Sequence, residues 1–265
     1  MARQAIFDRA GHDINYLSRS GLMSYSGKKA TGPSLTGMQI ADVASGSNNA
    51  VIGILAAVVD RNKTGKGQYI DISMTDGMIA FNAMFGAGFL VDGKDLGREE
   101  TLLNGGSLYD FYETREGQYI SFGGLEPQFF SAFFKALDMP ELIPGGVQPP
   151  DVKNVKKRIR EIFKTKTREE WMEIFQKVDA CVEPVLSLTE ALNDALTVER
   201  GMVIDVDLPG GEKVKQLACP IKFSETLPEY KHAGALPGLH TKEVLLELGY
   251  SEEEIKDFDK TGLFS

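Results

Sequence analysis

Apolar residues recur with helical spacing in some stretches of this chain and alternate with polar residues in others. Residues 49–60 form a dense apolar run typical of a buried helix, and residues 75–89 form a second helical run rich in Met and Phe. Between them, the polar turn 61–67 leads into 68–73, whose alternation predicts a strand. This helix–turn–strand unit predicts an α/β layer with a partly parallel sheet.

Two shorter alternating segments, 107–113 and 118–122, open a second region and predict a hairpin around Thr-Arg-Glu-Gly. Pro127 suits the first turn of the next helix, so Glu126 is expected at the strand-to-helix junction. One face of that helix is predicted to be an apolar stripe of Phe129, Phe130, Phe133, Phe134 and Leu137.

Capping boxes beginning at Thr167 and Ser251 predict helices over 168–178 and 252–258. A further hairpin is predicted within 203–217, on either side of a Pro-Gly-Gly turn. These elements add helices and antiparallel strands to the second half of the chain.

With 265 residues, 42% of them hydrophobic and 25% charged, the chain has the composition of an ordinary globular protein. Its net charge of −9 disfavours nucleic acid as a partner, since phosphate binding needs clustered Lys and Arg. The basic stretch 153–168 is expected to be the solvated face of a helix. Its apolar residues are predicted to face inward: Val155, Ile159, Ile162 and Phe163.

The longest apolar run, 50–59 apart from Gly53, is about half of the roughly 20 residues that span a bilayer. Because the N-terminus also lacks a signal-peptide pattern, we expect a soluble, cytoplasmic protein with no membrane partner. Cys181 and Cys219 are far apart and in no metal-binding spacing, so we expect buried free thiols and no metal site.

Three ionisable side chains lie in short polar motifs: His12 in Gly-His-Asp-Ile-Asn-Tyr, Asp42 in Ala-Asp-Val-Ala-Ser-Gly-Ser, and Glu126 in Leu-Glu-Pro-Gln. Histidine serves as base or acid near neutral pH, whereas an aspartate returns a proton only if its surroundings raise its pKa above about 3.9. Each residue also has a structural explanation, as a hydrogen-bonded histidine, a helix cap and a surface carboxylate respectively. Small residues at 44–47, just before the helix at 49, are expected to offer backbone N–H groups as an oxyanion site.

With these motifs, the chain from Asp8 to Tyr250 resembles the family III CoA-transferases, in particular their α-methylacyl-CoA racemase branch. The resemblance implies an isomerase of lipid metabolism that inverts the α-carbon of a 2-methylacyl-CoA by 1,1-proton transfer through an enolate. A CoA thioester would be the substrate, with no further cofactor. It implies that His12 and Asp42 are the acid/base pair and that Glu126 supports the histidine. The acyl-CoA-binding residues that it implies are Gly11, Asp13, Ile14, Asn15 and Tyr16.

The resemblance also implies a division into domains. Residues 1–75 and 215–265 would form part of a Rossmann-like large domain, and 108–197 a smaller α+β domain. Residues 76–107 would be a linker helix region, and 198–214 a second linker.

Family members carry a nucleotide-binding portion before the histidine motif, whereas only eleven residues precede His12 here. We therefore expect a family III fold with its N-terminal part absent. Because a truncated sheet exposes unpaired edges, the chain is expected to form a homodimer or a complex with a separate N-terminal-half polypeptide.

Two alternatives to racemisation stay open. In the transferase branch, the position of Asp42 is the acyl-forming nucleophile and the histidine motif is missing, so His12 favours the racemase. A non-catalytic subunit or remnant is the other alternative. The acyl specificity is open as well, because one Met- and Phe-rich set suits either an acyl pocket or a core: Met74, Met78, Phe81, Met84 and Phe85.

Overall fold

A computed structural model describes residues 9–208, 211–234 and 236–262. The chain divides into two compact units, Met1–Val185 and Leu186–Ser265, which are described separately here. Both contain helices and short antiparallel strands, and the predicted α/β class is confirmed. The domain boundaries implied by the resemblance stay a prediction.

The first unit consists mainly of helices. In chain order they are α1 (Asp13–Arg19), α2 (Leu22–Tyr25), a π-helix (Ile40–Ser47) that continues into α3 (Asn48–Thr64), α4 (Met74–Ala80), α5 (Ala83–Asp92), α6 (Pro127–Ala136), a 3-10 helix (Pro140–Gly145), α7 (Val152–Phe163) and α8 (Arg168–Phe175).

Helix α3 forms where the apolar run predicts it, but the prediction that it is buried is wrong. None of its residues is buried, and Ile52 is 64% exposed. Residues 68–73 pair with no described strand, so the predicted strand and the partly parallel sheet do not form in the described residues. This segment packs on α3 instead, where a Cβ added at Gly53 would lie 3.2 Å from Cγ2 of Ile70. The prediction was wrong because alternation of apolar residues shows that a segment can be a strand, not that a second strand lies beside it to form the hydrogen bonds of a sheet.

The Met- and Phe-rich helix is broken into α4 and α5, which meet at an angle of 74°. The side chain of Asn82 explains the break, because its amide nitrogen donates to the carbonyls of Met78 (3.2 Å) and Ile79 (3.1 Å) at the end of α4. The same nitrogen donates to the carbonyl of Ser20 (3.0 Å), which ties the break to the end of α1. Carbonyls that a helix end leaves unpaired are thus satisfied by one side chain.

The predicted hairpin is confirmed as β1 (Asp110–Glu113) and β2 (Tyr119–Phe122), and β3 (Val182–Pro184) pairs antiparallel with β2. Helix α6 starts at Pro127 as predicted and lays its aromatic stripe on this sheet, with Phe133 stacked 3.9 Å from Phe122 between ring centroids. Aromatic and aliphatic side chains from α7 and α8 complete this core.

The second unit contains α9 (Leu188–Asn193), α10 (Ala195–Glu199), β4 (Val203–Asp207), β5 (Lys213–Leu217), α11 (Thr241–Glu247) and α12 (Glu252–Lys260). Strands β4 and β5 confirm the second predicted hairpin, although turn residues 209 and 210 lie outside the described residues. Both predicted capping boxes are present, at Thr167 and Ser251. Cys181 is exposed and Cys219 partly exposed, so the expectation of buried thiols is wrong.

By length and composition alone, the continuous helix Ile40–Thr64 is long and apolar enough to cross a membrane, and α4 with α5 meets the same criterion as a bent pair. Core helices of soluble proteins meet this criterion too, but they are mostly buried, whereas α3 has no buried residue. The apolar run 50–59 is too short to meet this criterion alone, but the π-helix before it and the rest of α3 lengthen the helix to Ile40–Thr64.

A buried charge cluster joins the basic helix α7 to β1. The side chain of Lys156 is 6% exposed, and its ammonium contacts Asp110 Oδ2 (2.9 Å) and the carbonyl of Gly105 (2.7 Å). Arg160 and Lys28 also contact Asp110, at 3.2 Å and 3.3 Å. Burial on its own would raise the pKa of Asp110, but the hydrogen bond and charge of Lys156, with the charge of Lys28, outweigh burial and lower that pKa. The expectation that the basic run 153–168 is a solvated face is thus wrong in part, since Lys156 and Arg168 are both buried.

The substitution Asp110→Asn is expected to lower the free energy of unfolding by about 3 kcal/mol, because Lys156 would remain buried without its countercharge. Urea denaturation measures this difference. Glu161→Gln, which removes an exposed carboxylate 4.0 Å from Lys157 on the same helix, is the matched control. It should change stability by less than about 0.5 kcal/mol, and equal effects of the two variants would contradict the prediction.

The contribution of Asp110 should also depend on pH. Because folding lowers its pKa, this contribution is fully present above the unfolded value of about 3.9 and is lost as pH falls through the folded pKa. We expect the stability difference between the native chain and Asp110→Asn to be constant from neutral pH down to about pH 5 and to shrink below about pH 4. Denaturation series at several pH values measure it, and a difference that persists undiminished well below that point would count against the ion pair.

Candidate functional site

The predicted histidine motif lines a cavity. Its volume is about 520 Å³, and its walls are the start of α1, with His12, Asp13 and Ile14, and the loop 33–39. His12 is exposed, and Ile14 is 48% exposed. The cavity therefore gives the imidazole access to a ligand.

His12 is the residue that precedes α1, with an extended backbone. Its N–H donates to Oδ1 of Asn15 (3.0 Å), and its carbonyl accepts from the N–H of Asn15 (2.8 Å). Asn15 thus holds the backbone of the histidine at the helix start. This contact accounts for Asn15 without a ligand.

The side chain of Asp13 connects the histidine motif to the Asp42 segment. Its Oδ1 accepts the backbone N–H of Ala41 (2.5 Å) and that of Asp42 (3.0 Å), which lie 28 and 29 residues further along the chain. These N–H groups belong to the first turn of the π-helix, where no preceding turn supplies a carbonyl. Asp13, which follows His12 directly, is therefore hydrogen-bonded to the backbone of Ala41 and of Asp42.

A small hydrophobic core lies under this contact. Leu17 of α1, Ala41 of the π-helix and Met78 of α4 are all buried in it. Ser45, fully buried, donates to the carbonyl of Met74 (2.7 Å). Three elements are thus packed together around the segment that carries Asp42.

Gly11 and Tyr16 contact each other. The Tyr16 hydroxyl donates to the Gly11 carbonyl (3.2 Å), and a Cβ at Gly11 would lie 3.2 Å from Cζ of Tyr16. The contact explains why a glycine suits position 11. Both residues have a structural explanation here, and their implied role in binding acyl-CoA stays a prediction.

Glu126 lies at the strand-to-helix junction as predicted, directly before α6. Its carbonyl accepts from the N–H of Phe129 (3.0 Å), and its side chain is exposed. Although Cys181 is exposed, partial loss of hydration raises the pKa of its thiol, and the charges of Asp179 and Glu126 raise that pKa further. In the described part of the chain, no hydrogen bond or ion pair joins Glu126 to His12. The structure thus brings His12 and Asp42 segments together and leaves Glu126 at the small sheet.

The expectation of an oxyanion site at 44–47 is wrong in its structural premise. These residues lie inside the π-helix and do not precede a helix start, which falls at Ile40 instead. The N–H groups of Ala41 and Asp42 at that start are occupied by Asp13. The helix start thus lies at other residues than 44–47, and two of its N–H groups already have an acceptor.

The Met- and Phe-rich set serves several roles. Met78 is fully buried in the core under the site, and Met74 packs on that core. Phe81 and Met84 are exposed. Phe85 lines a second cavity of about 720 Å³ between α2 and α5, with the Tyr25 ring 5.8 Å away in an edge contact. Among the described residues, this set is thus divided between the core under the site, the second cavity and the exposed surface.

Three features of the site have no signal in the sequence. They are the bridge from Asp13, the loop wall 33–39, and the close crossing of α4 over the π-helix at Gly77. Each depends on a contact between segments distant along the chain. The one local hint is Gly77 itself, because a glycine inside a helical run often marks close packing.

The substitution Gly77→Ala is expected to lower the free energy of unfolding by about 1–3 kcal/mol, because an added Cβ would lie 1.9 Å from Oγ of the buried Ser45. Gly88→Ala, in α5 with nothing within 4 Å of the added Cβ, is the matched control. It should be neutral or stabilising by up to about 1 kcal/mol, since alanine favours a helix over glycine. Denaturant titration compares the two, and equal stability changes would contradict the close crossing.

Comparison with known proteins identifies the family. The model of CoA-transferase family III matches residues 6–241. The chain therefore belongs to CoA-transferase family III, and the resemblance drawn from its motifs is confirmed.

Similar proteins include both racemases and transferases. The chain is 34% identical to human alpha-methylacyl-CoA racemase over 93% of its own length and 64% of the relative's. It is 35% identical to the mouse alpha-methylacyl-CoA racemase, over 96% and 66% respectively. Human succinyl-CoA:glutarate CoA-transferase is 26% identical over 97% of this chain and 60% of that protein. The chain thus spans slightly less than two thirds of the length of these relatives.

A solved structure supports the fold. A CAIB/BAIF family protein from Brucella suis superposes with a TM-score of 0.73 at 24% identity, covering 91% of this chain and 64% of that protein. The predicted family III fold is confirmed.

Proposed function

We propose that this chain carries the acid/base residues of an acyl-CoA racemase or epimerase, which inverts the α-carbon of a 2-methylacyl-CoA. His12 and Asp42 are the two acid/base groups. The observation that supports this most is the Asp13 bridge, which joins the motifs of these residues beside an open cavity. The identity of 34–35% to two racemases favours the same reaction.

The chemistry needs two groups in opposite protonation states. One removes the α-proton, and the electron pair of the C–H bond moves towards the thioester carbonyl to give an enolate. The other donates a proton to the α-carbon on the opposite face, and the carbonyl re-forms. His12 and Asp42 exchange these roles for the two enantiomers, so the reaction needs no cofactor beyond the CoA thioester.

Several further properties belong to this proposal. Gly11, Ile14, Asn15 and Tyr16 belong to the segment that receives the thioester. Glu126 supports His12 by orienting its ring. A homodimer, or a complex with an N-terminal-half polypeptide, would cover the exposed apolar side chains of α3. A location in the cytoplasm is part of the same proposal.

CoA transfer is the second candidate, favoured by the transferases among the similar proteins. Here the Asp42 carboxylate would attack the thioester carbonyl, the C–S bond would break, and CoA would leave as a thiolate while an acyl anhydride forms at Asp42. That mechanism requires a covalent adduct at Asp42 and no proton exchange at the α-carbon. CoA transfer thus predicts an acyl adduct at Asp42, whereas racemisation predicts exchange of the α-proton.

Exchange of the α-proton of each 2-methylacyl-CoA enantiomer in deuterated water tests the proposal. Each base reaches one face of the α-carbon. His12→Ala should therefore slow α-proton exchange from one enantiomer by at least about 100-fold, and Asp42→Ala should slow exchange from the other enantiomer by as much. Racemisation should be lost in both. His232→Ala and Asp76→Ala remove the same side-chain types from exposed positions and should leave both rates unchanged.

Mass spectrometry of the quenched protein separates the alternatives. An acyl adduct at Asp42 without α-proton exchange would establish CoA transfer in place of racemisation. Neither exchange nor adduct, with the chain alone and with an N-terminal-half polypeptide, would contradict both enzymatic functions and favour a non-catalytic subunit.

A further inference from the structure

We infer that Asp13 is a positioning residue, whose carboxylate sets the separation of the two acid/base groups and does not bind acyl-CoA. The inference rests on the proposed function. It replaces the binding role that the resemblance implies for this side chain. It is carried by the two hydrogen bonds that Oδ1 accepts from Ala41 and Asp42.

The two N–H groups have few other possible partners. Helical backbone bonding begins only at the N–H of Val43, which donates to the carbonyl of Gln39 (3.1 Å). Ala41 is fully buried, so water cannot readily replace the carboxylate there. An unpaired buried N–H is costly, and Asp13 therefore fixes this end of the π-helix to α1.

The charge of Asp13 also suits this role better than a role at the thioester. A carboxylate is favourable at a helix start, where N–H groups point towards it. An ionised carboxylate only accepts hydrogen bonds, so it cannot stabilise the oxygen of an enolate. Its chemistry thus matches the backbone N–H groups it already contacts.

The covalent chain turns this contact into a constraint on the site. Asp13 follows His12 directly, and one of its two donors is the N–H of Asp42 itself. Any movement of the π-helix start relative to α1 therefore changes the separation of the two bases. A misplacement of about 1 Å can cost about 100-fold in rate.

The test compares Asp13→Ala, which removes the acceptor, with Asp13→Asn, which keeps an amide oxygen in the same place. Asp76→Ala removes an exposed aspartate from the first turn of α4 and is the matched control. Two readouts are needed: amide hydrogen exchange over 38–47 in the free protein, and kcat and KM for α-proton exchange of a 2-methylacyl-CoA.

We expect Asp13→Ala to speed amide exchange at residues 41 and 42 by at least about tenfold and to lower kcat by about 100-fold with KM nearly unchanged. Asp13→Asn should restore both to within a few-fold of the native chain, because an amide oxygen accepts the same hydrogen bonds. Asp76→Ala should alter neither.

Three results would overturn the inference. Unchanged protection of residues 41 and 42 in Asp13→Ala would remove the bridge. An Asp13→Asn variant that keeps this protection but loses kcat would give the carboxylate charge a direct part in the chemistry. A raised KM with unchanged kcat would restore the binding role.

The amide readout needs no substrate, so it separates this inference from the proposed function. If the native chain exchanges no α-proton while Asp13→Ala still exposes residues 41 and 42, the proposed reaction is wrong and the catalytic part of the inference falls with it. The bridge would then be a purely structural contact.

Discussion

One carboxylate oxygen organises the candidate site. Oδ1 of Asp13 binds the two N–H groups at the start of the π-helix, and the buried side chains of Leu17, Ala41 and Met78 pack beneath that contact. Hydrophobic packing brings the three elements together without fixing their register, because it is non-directional. The hydrogen bonds supply the direction that packing lacks, and the spacing of His12 and Asp42 depends on both.

The two cores of the first unit differ in kind. Around β1, β2 and α6, stacked aromatic rings form a large core, and Asp110 with Lys156 ties helix to sheet at its edge. The core under the site is much smaller and relies on backbone contacts with Asp13, Ser45 and Asn82. A substitution that removes one of these hydrogen bonds therefore acts on a part of the fold with little hydrophobic packing to hold it in place.

Local signals predicted the local elements. The hairpins, the capping boxes and the start of α6 at Pro127 follow from residues within a few positions of one another, and the structure has them. The burial of α3, the strand at 68–73 and the oxyanion site at 44–47 required knowledge of distant partners, and these predictions were wrong. In the site, sequence patterns proposed candidate residues, and their roles stay a prediction. They could not show that Asp13 joins segments 28 residues apart.

The loop 33–39 forms one wall of the cavity and lies between two firmly held ends. Before it, Asn82 donates to the carbonyl of Ser20 at the end of α1, and Arg98 donates to that of Met23 in α2. After it, the π-helix start is bound to Asp13. A loop closed in this way tolerates changes of length at little entropic cost. Insertions or replacements there would reshape the space beside His12 while the proposed acid/base pair keeps its spacing, so the ligand that the cavity accepts could change during evolution without a change in the proposed chemistry.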